Sequence, residues 1–194
     1  MSVELVAIGA SWGGMHAIGT VLGALPARFG AAVVVAQHRS PDGEEAALGH
    51  LLDIRCALAV VDAEDKQELR AGCVLLAPPD YHLLVEPGAV SLSLDAQVHY
   101  SRPSIDVLFQ SAADAYADRA AGVILTGANA DGAEGLRRIA ARGGAAIVQD
   151  PQTAVRREMP DAALAATPEA QVVELERIGP LLAALAGTRE GARS

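Results

Sequence analysis

Apolar positions change their spacing repeatedly along this chain, and each change marks an element. Val3–Ile8 is a short apolar run that stops at Gly9, as a buried strand does. From Gly14 the spacing is helical: Met15, Ile18, Val21, Leu22 and Leu25 share one face, and Pro26 closes the helix. Ala31–Ala36 predicts a second buried strand, followed by a loop over Gln37–Gly43, a helix over Glu44–Leu52 and a strand at Ala57–Val61. Val74–Ala77, His82–Val85 and Val90–Leu94 are short runs separated by Pro-Pro-Asp and Pro-Gly, which predicts an antiparallel excursion. Ile105, Leu108, Phe109, Ala112 and Tyr116 mark an amphipathic helix starting near Ser104. Gly122–Leu125 then reads as a strand, with a Gly-rich loop and a helix to about Ala141 after it. Ala145–Val148 is a strand broken by Asp150-Pro151. A helix near Asp161–Ala166, a strand at Gln171–Val173 and a helix over Ile178–Ala186 follow.

Strands alternating with helices imply an α/β fold: a doubly wound, mostly parallel sheet sandwiched by helices, with a β-hairpin excursion in the middle. The 194 residues suit one domain, expected over residues 1–187, with a polar tail at Thr188–Ser194. Hydrophobic residues are 51% and aromatics only 3%, so packed Ala/Val/Leu/Ile layers fit better than an aromatic-rich sandwich. The net charge of -9 argues against a nucleic-acid partner. Leu5–Ala27 carries no charge, but its five glycines, Pro26 and change of period read as strand, turn and helix rather than a membrane insertion. No basic N-terminal region precedes an apolar core, so a soluble, cytoplasmic protein is expected. Cys56 and Cys73 fit no metal or disulfide pattern and read as buried free thiols.

In such a sheet, ligands bind at the carboxyl ends of the strands, so chemistry belongs just after strands. The first such loop, Gly9-Ala10-Ser11-Trp12-Gly13-Gly14, lacks the dinucleotide fingerprint, since Ser11 stands where its second glycine is needed. It matches Gly-x-Ser-x-Gly between strand and helix, a turn that projects a serine hydroxyl. The following amides, of Trp12 and Gly13, lie at a helix start, where a developing oxyanion is stabilised. A plain helix-capping serine is the competing reading. His38 ends the second strand and Asp131 follows the Gly-rich loop; Asp131 also reads as a carboxylate at the start of its own helix, with Asp150 as a rival. Ser11, His38 and Asp131 all project from one sheet edge, which suggests a nucleophile, a general base and the group that orients that base. The order Ser–His–Asp differs from that of α/β-hydrolases.

The chain resembles the catalytic domain of the chemotaxis protein-glutamate methylesterases. The resemblance rests on Ile8-Gly9-Ala10-Ser11 with Gly13-Gly14, Gln37-His38, Leu76-Ala77-Pro78, Arg102 through Phe109, Val123 through Gly127, Asp131-Gly132-Ala133, Gln149-Asp150 and Met159-Pro160, in order across about residues 3–185. It implies that Ser11, His38 and Asp131 are the family's catalytic serine, histidine and aspartate. It also implies hydrolysis of glutamyl methyl esters on cytoplasmic helices of methylated chemoreceptors, deamidation of receptor glutamines in many members, and no metal or cofactor. Three departures stand out. Trp12 takes the place of the usual Thr, Ala128-Asn129 that of Met-Gly, and Arg156-Arg157-Glu158 precedes Met159 where the family is commonly apolar and ends in Gly. The arginines read as a solvated face or as a docking patch for an acidic helix. The first catalytic strand begins at Val3, so a form without the family's receiver domain is expected, controlled, if at all, by a separate receiver-domain or other signalling protein. Two competing functions are a catalytically degraded binding module on the same fold and a nucleotide-binding α/β protein; the missing phosphate motif argues against the latter.

Overall fold

The computed structural model describes residues 2–38, 48–54 and 56–187. In chain order the first half comprises β1 (Leu5–Ala10), α1 (Gly14–Gly23), β2 (Ala32–Gln37), α2 (Leu48–Asp53), β3 (Ala59–Asp62), β4 (Cys73–Leu76), β5 (His82–Glu86) and β6 (Ala89–Ser93). The second comprises α3 (Ile105–Tyr116), β7 (Ala120–Ile124), α4 (Ala133–Ala141), β8 (Ala145–Gln149), α5 (Glu158–Ala166), β9 (Gln171–Val173) and α6 (Leu175–Ala186). Seven strands form one sheet in the order β3-β4-β2-β1-β7-β8-β9, and every pairing in it is parallel.

Alternation along the strands builds two cores. On β1, Val6 and Ile8 face one side and pack with Ile18, Val21 and Leu22 of α1 and Ile178 and Leu182 of α6. Leu5 and Ala7 face the other and pack with Ile105, Leu108 and Phe109 of α3, Leu136 and Ile139 of α4, and Met159 of α5. Continuous apolar runs are what strands covered on both faces need. The chain winds from β1 towards β2, β4 and β3 on one side, then returns to β7, β8 and β9 on the other. The strand order therefore switches between β1 and β7, where such sheets bind ligands.

Several sequence expectations are corrected. The runs near residues 74–94 are not one excursion: β4 is a parallel strand of the main sheet, and only β5 and β6 pair antiparallel, as a separate two-stranded sheet packed on α3. Pro-Pro-Asp ends β4 and leads into a new sheet rather than a hairpin turn. Met15 is exposed, not inward-facing; Ala17 takes the buried position. The thiols of Cys56 and Cys73 are free but only half-buried. Helix α5 begins at Glu158, with Pro160 in its first turn, and α6 at Leu175, each earlier than the spacing predicts. The expected loop beyond residue 38, the first half of the helix over Glu44–Leu52 and the Thr188–Ser194 tail lie outside the described residues.

Candidate active site

Ladder bonds continue past the strand ends and bring two loops together. The Ser11 amide donates to Thr126 O at 3.0 Å, and the His38 amide to Ala10 O at 3.0 Å. Ser11 and His38 thus leave the adjacent strands β1 and β2 side by side, with Ser11 at the switch point. Gly13 caps α1 with φ 82°, a left-handed conformation that favours glycine, and a Cβ there would lie 2.9 Å from Val155 Cβ. The turn swings the chain from strand to helix directly after Ser11. Among the described residues, the amides of Trp12 and Gly13 meet no acceptor. A cleft of about 480 Å³ opens here, lined by residues 11–16, Gln37 and His38.

Asp131 is fully buried and caps a helix, but not its own. Gly132 caps α4 with φ 94°, and the Asp131 side chain points instead to the start of α3. Its Oδ2 accepts the Ile105 amide at 2.7 Å, and its Oδ1 accepts the Asp106 amide at 3.0 Å and the Ser104 hydroxyl at 2.9 Å. The remaining contact is to His38 Nε2, 2.7 Å from Oδ2. Burial pushes the Asp131 carboxyl up, but hydrogen bonds from His38, Ile105 and Asp106 outweigh it and hold the group below the usual carboxylate range. The α3 dipole favours the same anion.

His38 Nδ1 faces Asn129, whose Nδ2 lies 3.3 Å away, while Asn129 Oδ1 accepts the Asp131 amide at 3.1 Å. The structure therefore joins His38 to Asp131 and places Ser11 in the His38 cleft. Among the described residues, the Ser11 hydroxyl has no hydrogen bond to the ring. Asp150 does not compete for the role: it organises the turn after β8, accepting the Gln152 and Thr153 amides. His82 is a packed residue, accepting the Ser104 amide at Nδ1 and facing Ala96 O through Nε2.

Other residues that build the site carry roles that spacing did not reveal. Gln37 Nε2 donates to Ser11 O at 2.8 Å and His38 O at 3.0 Å, bridging the two loops. Thr126 Oγ1 donates to Trp12 O at 2.9 Å and accepts the Arg156 amide at 2.9 Å, pinning the 154–157 segment beside the Ser11 turn. Ser104 carries the α3 cap that holds Asp131. The apolar spacing places the start of this helix near Ser104, but an alcohol or amide in a loop gives no periodic signal of what it holds, and the link to Asp131 exists only through packing. Trp12, Met15 and Val155 form an exposed apolar rim. Arg156 pairs with Glu158 at 2.9 Å and Arg157 with Asp161 at 2.6 Å, all exposed.

Among the described residues, His99, Asp106 and Asp131 are near enough to share a cation. Both Asp131 oxygens already accept donors, and Asp106 Oδ1 accepts the Gly135 amide at 2.7 Å, so the cluster fits a hydrogen-bonded cap better. A hollow of about 610 Å³ against β9 and α6 contains none of these groups.

Fold and cleft together define a doubly wound α/β domain with a serine turn and a His–Asp pair at its switch point. The CheB methylesterase family profile matches residues 6–182, and the chain belongs to that family. A Leptospira interrogans protein is 46% identical over 184 residues, covering 93% of this chain and 94% of the relative. Longer relatives include protein-glutamate methylesterase/protein-glutamine glutaminase 2 of Cupriavidus metallidurans, 41% identical over 95% of this chain and 54% of its own length. Another is protein-glutamate methylesterase FrzG of Myxococcus xanthus, 41% identical over 92% of this chain and 53% of its own length. The crystal structure of the Thermotoga maritima CheB methylesterase catalytic domain superposes with a TM-score of 0.88 at 32% identity, covering 95% of this chain and all of that one.

Proposed function

We propose that residues 1–187 are one catalytic domain, a serine hydrolase that removes methyl groups from glutamyl esters on the cytoplasmic helices of methylated chemoreceptors. The observation that carries this is the His38–Asp131 hydrogen bond at the cleft into which the Ser11 turn opens. Ser11 Oγ attacks the ester carbonyl, and its proton passes to His38 Nδ1, since Nε2 is committed to Asp131. The amides of Trp12 and Gly13 receive the oxyanion at the start of α1. Collapse expels methanol, protonated by His38, and leaves an acyl-serine. Water, deprotonated by the same nitrogen, then attacks to release the glutamate carboxylate and restore the serine. A glutamine amide follows the same steps with ammonia leaving. No step calls on a metal or cofactor. The work is cytoplasmic, and the proposed partners are the methylated receptor helices together with a receiver-domain or other signalling protein. No helix among the described residues is long and apolar enough to cross a membrane.

A second reading, a binding module without turnover, is favoured by one observation: His38 Nδ1 is engaged by Asn129 rather than by Ser11. Methanol release from a methylated receptor fragment separates the two. The wild type should release methanol and Ser11→Ala should fall by roughly 10⁴–10⁶-fold. No release by folded wild type from several receptor fragments would favour the binding module.

A further inference from the structure

We propose that Asn129 is a positioning residue that latches the general base of the resting site, occupying the lone pair through which His38 accepts the Ser11 proton. The inference rests on the esterase reading above. Asn129 Oδ1 accepts the Asp131 amide at 3.1 Å, which fixes the side-chain amide with its NH₂ group turned towards His38. Its Nδ2 lies 3.3 Å from His38 Nδ1. Across the ring, His38 Nε2 lies 2.7 Å from a carboxylate oxygen that accepts only, so Nε2 carries the ring proton. Nδ1 of that tautomer is an acceptor with one in-plane lone pair, and Asn129 holds it.

Ser11 and Asn129 therefore compete for a single acceptor. Asp131 already orients the ring through Nε2, so Asn129 adds little to its placement. What it adds is a contact that must open before Ser11 can lose its proton. One hydrogen bond is exchanged for another, with no covalent change. A hydrogen bond of ordinary net strength makes that exchange worth about 2- to 10-fold in rate.

The test is the rate at which a fluorophosphonate labels Ser11, measured with wild type, Ser11→Ala, Asn129→Ser and Asn129→Asp. Serine keeps an acceptor for the Asp131 amide in the same kind of turn but does not reach His38. Asn129→Ser should label about 2- to 10-fold faster than wild type while staying folded, with a melting temperature no higher than that of wild type. Loss of a merely structural contact would not accelerate labelling. Asn129→Asp keeps the turn but sets a carboxylate against Nδ1, favours a proton there, and should label more slowly at neutral pH. Nitrogen-15 NMR of the wild-type ring should show Nε2 protonated and Nδ1 bare, and it needs no variant to fold. Asn129→Ser labelling no faster than wild type, or a resting ring protonated at Nδ1, overturns the latch. Wild type labelling no faster than Ser11→Ala overturns the esterase reading, and the latch with it.

Discussion

Both oxygens of Asp131 accept hydrogen bonds from donors that cannot reverse, and this makes Asp131→Asn a severe test of its role. An asparagine amide must place its NH₂ group at one oxygen position or the other. At the Oδ2 position it would face the Ile105 amide and His38 Nε2; at Oδ1 it would face the Asp106 amide and the Ser104 hydroxyl. The second is less damaging, because the hydroxyl can rotate and accept. One buried backbone N–H is then left unsatisfied, at about 1–3 kcal/mol, and the Ile105 bond loses its charge assistance, about 1 kcal/mol more. Removing the anion from the α3 N-terminus adds about 1 kcal/mol in this buried geometry. The sum is about 3–5 kcal/mol, a large part of the ~5–15 kcal/mol that holds a domain together. Urea titration followed by circular dichroism measures it. The pH dependence adds a sign. Because the folded Asp131 carboxyl is held below its ordinary value, its stabilisation is complete above the unfolded value of about 3.9 and is lost as pH falls through the folded one. The gap between wild type and variant should stay constant near neutrality and close only below about pH 4. The Asp106 carboxyl is pushed up by burial and, to a smaller extent, by the Asp131 charge; the burial part is common to both proteins, and losing the Asp131 part in the variant offsets a little of the gap near neutrality. A variant less than about 1 kcal/mol weaker near neutrality would show that the α3 cap does not depend on the Asp131 charge.

Three further substitutions probe the same scaffold. Gly13→Ala forces an alanine to φ 82° and its Cβ to 2.9 Å from Val155 Cβ; a loss of at least ~1–2 kcal/mol in chemical denaturation is expected, with slower labelling of Ser11. Gln37→Glu removes both donors that bridge Ser11 O and His38 O and sets a carboxylate beside them, so thermal melting should reveal a loss of about 2–4 kcal/mol. By contrast Arg138→Ala, which breaks an exposed pair with Asp114 at 2.8 Å, should change stability by less than ~1 kcal/mol, and by less still in high salt.

The central strands and most of the helix–strand alternation are legible because burial on both faces leaves continuous apolar runs, as in β1 and β2. Legibility fails where burial is one-sided or brief. Strand β3 has one buried residue, so the apolar pattern places its start two residues early, and β4 resembles the neighbouring hairpin runs because four apolar residues do not announce which sheet they join. The site divides along a similar line. Ser11, His38 and Asp131 could be proposed because each follows a strand, a property of the chain's order. What each side chain touches depends on how elements pack. Asp131 reads locally as a residue opening its own helix, yet it serves the start of α3, about 26 positions upstream, because that helix packs across β1 and β7. The same holds for Gln37: a glutamine ending a buried strand gives no pattern of its own, and its bridge between two loops exists only once β1 and β2 lie in register, with Ala10 opposite Gln37. The residues proposed to attack or carry protons are therefore those that chain order exposes, whereas the residues that hold them in place become visible only through contacts between elements distant in sequence.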